Sequence, residues 1–270
     1  MPCAAPSRNN LGVLGPCGYK KLLSVGGFTD PLAYSPKGLW RLNEPSGTSA
    51  ADASGNGNNG VISGGVLLNQ QAAPLAPAGT SMSFDGTGAI TVASNPALNL
   101  GDVFTLEAWI ATTSLAEQDI FYKSGAYELE VANVGGLKLR FVKAGVQYLA
   151  VAGAGNSLPN DGLFHHVAAV KNGSDIRLYQ DGVDITPGAT ITPGTCVDTA
   201  NPLVIGQRAG GTMGMVGRID EPAIYNVALT TQQIQTRMGG KDVSADSLCM
   251  FHYAMKYGQS AVRQPMAVEP

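Results

Sequence analysis

Charge is scarce in this sequence: Asp, Glu, Lys and Arg make up 14% of its 270 residues, and the formal net charge is −3. No cluster of Lys and Arg is present, so the electrostatic footprint needed for nucleic acid or an anionic membrane surface is missing. Long apolar runs are missing too, since no segment reaches the about 18 apolar residues of a membrane span. The opening stretch MPCAAPSRNNLGVLGPCGYKK (1–21) has Pro, Ser, Arg and Asn where a secretory signal has an unbroken apolar segment. Synthesis in a cytoplasm without export is the expectation. The four cysteines, Cys3, Cys17, Cys196 and Cys249, lie far apart and form no CxxC pair. Their spacing fits neither a zinc site nor a dense disulfide framework. They read as free thiols, with a Cys3–Cys17 bridge open to a chain that meets oxidant.

What the chain does have is punctuation, with 35 Gly and 16 Pro. Between these turn residues run short alternating segments: GAITVAS (88–94), TLEAWIA (105–111), YELEVAN (127–133), LKLRFVK (137–143) and DIRLYQD (175–181). Period-two segments with frequent turn signals predict an antiparallel sandwich with one apolar and one wet face per sheet. Gly135 and Gly136 predict one hairpin, and Asp181 with Gly182 another, through a type I′ turn. One short helix is signalled by Thr230 as cap, Gln233 as its capping-box partner and Gly239 or Gly240 as its stop. Ile234 and Met238, four apart, predict that it lies on the sandwich edge.

Several longer phrases follow one another along the chain: WRLNEPSG (40–47), DASGNGNNG (52–60), SFDG (83–86), FTLEAWI (104–110), FHHVAAV (164–170), RLYQDG (177–182) and GRIDEPAIYNVALT (217–230). In this order and spacing they resemble the laminin-G-like, concanavalin-A-like jelly-roll family. The resemblance implies an all-β, two-sheet antiparallel jelly-roll sandwich whose usual work is binding, not catalysis. It divides the chain into an N-terminal arm (1–35), a jelly-roll domain (36–240) and a C-terminal arm (241–270). Trp40 and Trp109 fall inside its core phrases and read as buried packing residues.

A structural calcium ion is one expectation. Calcium takes hard oxygens from a tightly curled loop, and Asp52, Asn56, Asn58 and Asn59 are such donors beside Asp220 and Glu221. If Ile219 faces the core, Glu221 is an inward carboxylate that needs a partner. The proposed ligands are Asp52, Asn56, Asn58 and Glu221, and the resemblance adds that related sandwiches often hold calcium near an edge. The alternative is an Asx-stabilised Gly/Asn turn with no metal, in which Asp52 caps its own loop.

No catalytic residue is expected. Glu128 and Glu130 share one strand face, as a glycosidase pair can, but the strand lacks a third carboxylate and reads as a solvated face. His165 and His166 are adjacent, so they point to opposite faces and cannot act together. GQRAGG (206–211) lacks the Lys and Ser/Thr of a phosphate loop and reads as a plain loop. For sugar binding, rings that stack and polar groups that surround them are required. Tyr122, Tyr127, Tyr148, Gln180 and Arg208 are the candidates, scattered along the sequence.

The arms are apolar, unlike disordered tails. Leu248, Phe251, Tyr253, Met255 and Tyr257 crowd the C-terminal arm and predict a short helix buried against a partner or against the sandwich. A binding domain of this resemblance without a secretion signal leads to one economical expectation: a bacteriophage virion component, such as a capsid decoration, head fibre or tail-associated protein. Its arms would anchor it to other virion proteins or further copies of itself, and its sandwich would face host-surface glycans. A free carbohydrate-binding lectin module and a glycan-cleaving enzyme are the alternatives.

Overall fold

The computed structural model describes residues 29–74, 79–132, 136–143, 146–152, 160–186, 196 and 198–238. Most of both arms, including Leu248, Phe251, Tyr253, Met255 and Tyr257, lies outside the described residues. The described chain forms sixteen strands and one α-helix. First come β1 (Gly38–Leu39), β2 (Ser49–Ala50), β3 (Gly60–Ser63), β4 (Val66–Gln71), β5 (Thr80–Asp85), β6 (Ala89–Val92) and β7 (Val103–Thr112). The middle supplies β8 (Gln118–Lys123), β9 (Tyr127–Ala132), β10 (Gly136–Lys143) and β11 (Val146–Val151). After them follow β12 (His165–Asn172), β13 (Asp175–Gln180), β14 (Val183–Asp184), β15 (Leu203–Ile205), β16 (Val216–Tyr225) and α1 (Thr231–Arg237).

The strands pair antiparallel in two eight-stranded sheets. The first runs β14-β13-β12-β7-β16-β5-β4 with β1 on β16, and the second runs β11-β10-β9-β8-β15-β6-β3-β2. This is the two-sheet jelly-roll sandwich that the sequence predicts. Alternation builds its layers: Leu106, Ala108 and Ile110 of β7 meet Leu129, Val131, Leu137, Leu139 and Phe141 of β9 and β10 in one core. The residues between them therefore point away from it. Asp181 (φ 48°) and Gly182 (φ 72°) make the predicted I′ hairpin between Gln180 and Val183. The Gly136 end of the other hairpin pairs with Ala132, and Gly135 lies outside the described residues.

The outer face of the first sheet is covered. Thr230 and Gln233 form the reciprocal capping box, with N–H to oxygen distances of 2.8 and 3.2 Å. Ile234 of α1 then joins Leu39, Ala168, Val170, Tyr179, Ala223, Tyr225 and Leu229, while Met238 joins Trp109, Ala111 and Phe164. The helix thus lies across a sheet face, not along the predicted edge, because Ala168 and Ala223 leave room for it on the broad apolar surface. Thr29 N–H donates to the Thr236 carbonyl at 3.0 Å, so the described chain enters and leaves at neighbouring points on this face.

Candidate functional site

Among the described residues no helix covers the outer face of the second sheet, and seven charged side chains gather there. Register sets Asp119 of β8 beside Glu130 of β9, and Tyr122 beside Glu128. On the far side, Lys138 and Arg140 of β10 stand opposite Glu130 and Glu128. A bulge between Asp119 and Phe121 turns both Ile120 and Phe121 into the core, leaving Asp119 and Tyr122 outside. Glu117 precedes β8 and pairs with Lys138.

Arg208 is delivered by the loop after β15. Gly206 N–H donates to the Ile120 carbonyl at 3.1 Å, and Arg208 N–H to the Thr212 carbonyl at 3.0 Å. At Gly206 the backbone has φ +85°, and a Cβ would lie 2.6 Å from the Phe84 ring, so the turn needs glycine. The guanidinium then spans all three carboxylates. Its Nε donates to Asp119 Oδ2 at 3.0 Å, and Nη2 to Glu128 Oε2 at 2.6 Å and Glu130 Oε2 at 3.4 Å. It sits 5.2 Å over the Tyr122 ring. Arg140 Nε adds a bond to Glu130 Oε1 at 2.8 Å.

Asp119 and Glu130 are fully buried, whereas the Arg208 side chain is 26% exposed. Burial pushes the Asp119 carboxyl up to about 7; Arg208 opposes the shift, and Glu128 and Glu130 add to it. Glu128 is likewise raised, chiefly by burial. Asp119 Oδ1 is buried without a hydrogen-bond donor. Each of the three carboxylates offers an oxygen within 4.8 Å of the other two. Acceptors, an accessible guanidinium and an aromatic ring thus share one patch, the combination that sugar hydroxyls and ring faces require.

Of the five residues predicted to bind sugar, the structure brings Tyr122 and Arg208 together. Tyr127 is 1% exposed, in the core, with its hydroxyl donating to the Leu98 carbonyl; alternation along β9 turns it inward, so it is no stacking platform. Tyr148 stacks on Phe141 at 5.4 Å against the core, and Gln180 belongs to the first sheet. Glu128 and Glu130 are not a solvated face, because Arg208 and Arg140 cover them. The third carboxylate, absent from their own strand, arrives as Asp119 from the neighbouring one. Only the β8–β9 register reveals it; the hint in sequence was the short turn between QDIFYK and YELEV. GQRAGG is a loop, as read, and it carries the central arginine.

The predicted calcium ligands are otherwise engaged. Asp52 Oδ1 accepts from the N–H groups of Leu39 and Ser54, and Oδ2 from that of Asn58. Asn56 and Asn58 donate through their amides to the Pro36 and Lys37 carbonyls, while the Asn58 carbonyl accepts from Trp40 Nε1 and its Oδ1 from Asn95. Glu221 sits in a bulge of β16 with φ 49° and takes Arg41 Nη1 on both oxygens at 3.0 Å. The Asp52, Asn58 and Glu221 oxygens are thus taken by protein donors, while Asn56 is engaged through its amide N–H. The loop is an Asx-stabilised turn, and the cation that meets Glu221 is Arg41. Both histidines are buried with separate contacts: His165 Nδ1 lies 2.7 Å from Asp181, and His166 meets the Trp109 ring edge-on.

The sequence profile described as the Concanavalin A-like lectin/glucanases superfamily, of laminin G type, matches residues 84–235, more than half of the chain. The chain belongs to this superfamily. The matched segment of this lectin/glucanase-superfamily chain contains the entire charged patch. Its fold is similar to domain 4 of AbnA, a GH43 extracellular arabinanase from Geobacillus stearothermophilus solved in complex with arabinotriose. That likeness has a TM-score of 0.60 and 18% identity over 75% of this chain and 98% of that domain. The binding domain of Paraclostridial Mosquitocidal Protein 1 follows at 0.55 and 16%, over 74% of this chain and 52% of that one. The receptor binding domain of botulinum neurotoxin mosaic serotype C/D gives 0.53 and 15%, over 76% and 50%. The superfamily chain therefore spans about half of either toxin domain. No curated protein matches it in sequence.

Proposed function

We propose that this protein is a glycan-binding module that holds a sugar on the outer face of its second sheet, around Arg208 and Tyr122, without cleaving it. The observation that carries this reading is the part-exposed guanidinium held over a tyrosine ring by three carboxylates. Its free N–H groups can donate to sugar hydroxyls, the part-exposed Glu117 carboxylate at the rim of the patch can accept, and Tyr122 offers an aromatic surface. Support from outside comes from similar folds: the arabinanase domain holds arabinotriose, and the toxin domains are binding and receptor-binding domains. Binding is favoured over cleavage because Arg208 engages every carboxylate of the trio, and a retaining glycosidase needs two carboxyl groups about 5–5.5 Å apart and open to substrate.

The test is an oligosaccharide array, arabinotriose included, probed with the full chain. Saturable binding that falls at least tenfold in Arg208→Gln and Tyr122→Ala, with no cleaved product, is expected. Cleavage that disappears in Glu128→Gln or Glu130→Gln would replace this reading with an enzymatic one. As the setting of the module we propose a virion, with the arms as anchors. In support, the described chain enters and leaves on the covered face of the first sheet, which is the side opposite the sugar-binding patch. Deleting residues 241–270 should then abolish assembly and leave a folded core. An unfolded truncate sinks the proposal.

A further inference from the structure

Four carboxylates (Glu117, Asp119, Glu128, Glu130) face three cations (Lys138, Arg140, Arg208) on the second sheet, and the three innermost acids are the least exposed of the group. Buried carboxylate oxygens demand a partner, because leaving one unpaired forfeits its hydration. Asp119 Oδ1 has none, although its twin Oδ2 faces Arg208. Two oxygens on opposite sides of a calcium ion stand about 4.6–5.2 Å apart, given its bond lengths. The trio offers oxygens within 4.8 Å of one another, close enough to ligate one ion, and carboxylate donors select a hard cation. At the centre now sits the guanidinium, a single charge shared among three acids and reached from a part-exposed side chain.

We propose that Asp119, Glu128 and Glu130 form a divalent-cation site, for calcium or manganese, and that the Arg208 guanidinium is the cation it exchanges. When the ion enters, the carboxylates turn from guanidinium to metal, Asp119 Oδ1 gains a partner, and Arg208 moves outward. This site is distinct from the loop of residues 52–60. It uses the side chains of the proposed sugar patch but does not require that sugar binds.

Manganese alone, titrated into the full chain at a pH above 7 and counted by electron spin resonance, tests it. Wild type should take up one ion saturably, and Arg208→Ala, freed of the competitor, should bind at least tenfold tighter and melt higher with the metal present. Arg208→Ala combined with Glu130→Gln should lose the uptake. Absence of uptake by folded Arg208→Ala, or its survival in the double variant, overturns the proposal. If Arg208→Ala fails to fold, Arg208→Lys, which keeps the charge but loses the fork of donors, should still bind more tightly than wild type; unchanged affinity overturns it equally. Manganese uptake without any oligosaccharide binding keeps this site and sinks the glycan reading, and the converse result does the reverse.

Discussion

The two outer faces of the sandwich carry the same kind of chemistry, acids netted by arginine, with opposite results. On the first sheet Glu107 accepts from Tyr225 Oη at 2.6 Å and Arg237 Nε at 2.8 Å, with His166 Nε2 3.3 Å away. Burial there works to raise its carboxyl, but Arg237, His166 and Tyr225 outweigh it and hold Glu107 down to about 2. On the second sheet Asp119 rises to about 7 against a single shared arginine. The difference lies in matching and cover. One acid with an arginine of its own beneath α1 anchors the architecture, whereas several acids sharing a part-exposed arginine leave Asp119 raised and one of its oxygens without a donor.

Removing the buried arginine is the harshest way to break this contrast. Arg237→Ala strands Glu107, and a buried pair cut on one side costs about 3–5 kcal/mol. Arg208→Ala should cost about 1–2 kcal/mol, between that figure and the small value of an exposed pair. Urea unfolding of both variants checks the ordering, and equal losses would erase the distinction between the faces.

Acidity sharpens the contrast next. Asp119, Asp220 and Glu221 each titrate near 7 in the fold, raised chiefly by burial. A carboxyl with a raised folded pKa keeps its proton in the native state where the unfolded chain has lost it, so stability falls as pH rises from about 4 to about 7. Glu107 acts the other way, its contribution fading as pH falls from about 4.5 through 2. The melting temperature should therefore climb from about pH 8 down to about pH 5 and drop again in stronger acid. Asp220→Asn should flatten the climb, and Glu107→Gln the acid-side drop. A flat profile between about pH 5 and 8 in wild type would contradict the burial assigned to these groups.

Much of the scaffold was legible because it depends on neighbours in sequence. The period-two runs, the Asp181–Gly182 turn and the Thr230–Gln233 box all act over a few residues, and each is found where it was read. The patch was half legible. Tyr122 and Arg208 were named, yet 86 positions separate them, and only the loop held by Gly206 against Phe84 joins them. Asp119 escaped because it is one carboxylate on a strand that looks ordinary until pairing sets it beside Glu130. Glu221 misled through parity. Ile219 and Ile224 both enter the core, five apart, since the bulge between Asp220 and Ala223 shifts the alternation by one. Strict counting from Ile219 could not deliver Glu221 to Arg41.

The smallest effect separates cover from patch. Thr230→Ala removes the cap of α1 and should cost about 1 kcal/mol. The loss stays small because Ile234, buried on the first sheet, and Arg237, bonded to Glu107, hold the helix after its first turn loosens. On the far side of the core, neither the sugar affinity nor the manganese affinity proposed for the second sheet should change. Calorimetry on the one variant reads both quantities. A melting shift with unchanged ligand affinities means the two faces are energetically independent, and a ligand affinity that falls with the cap means the core couples them.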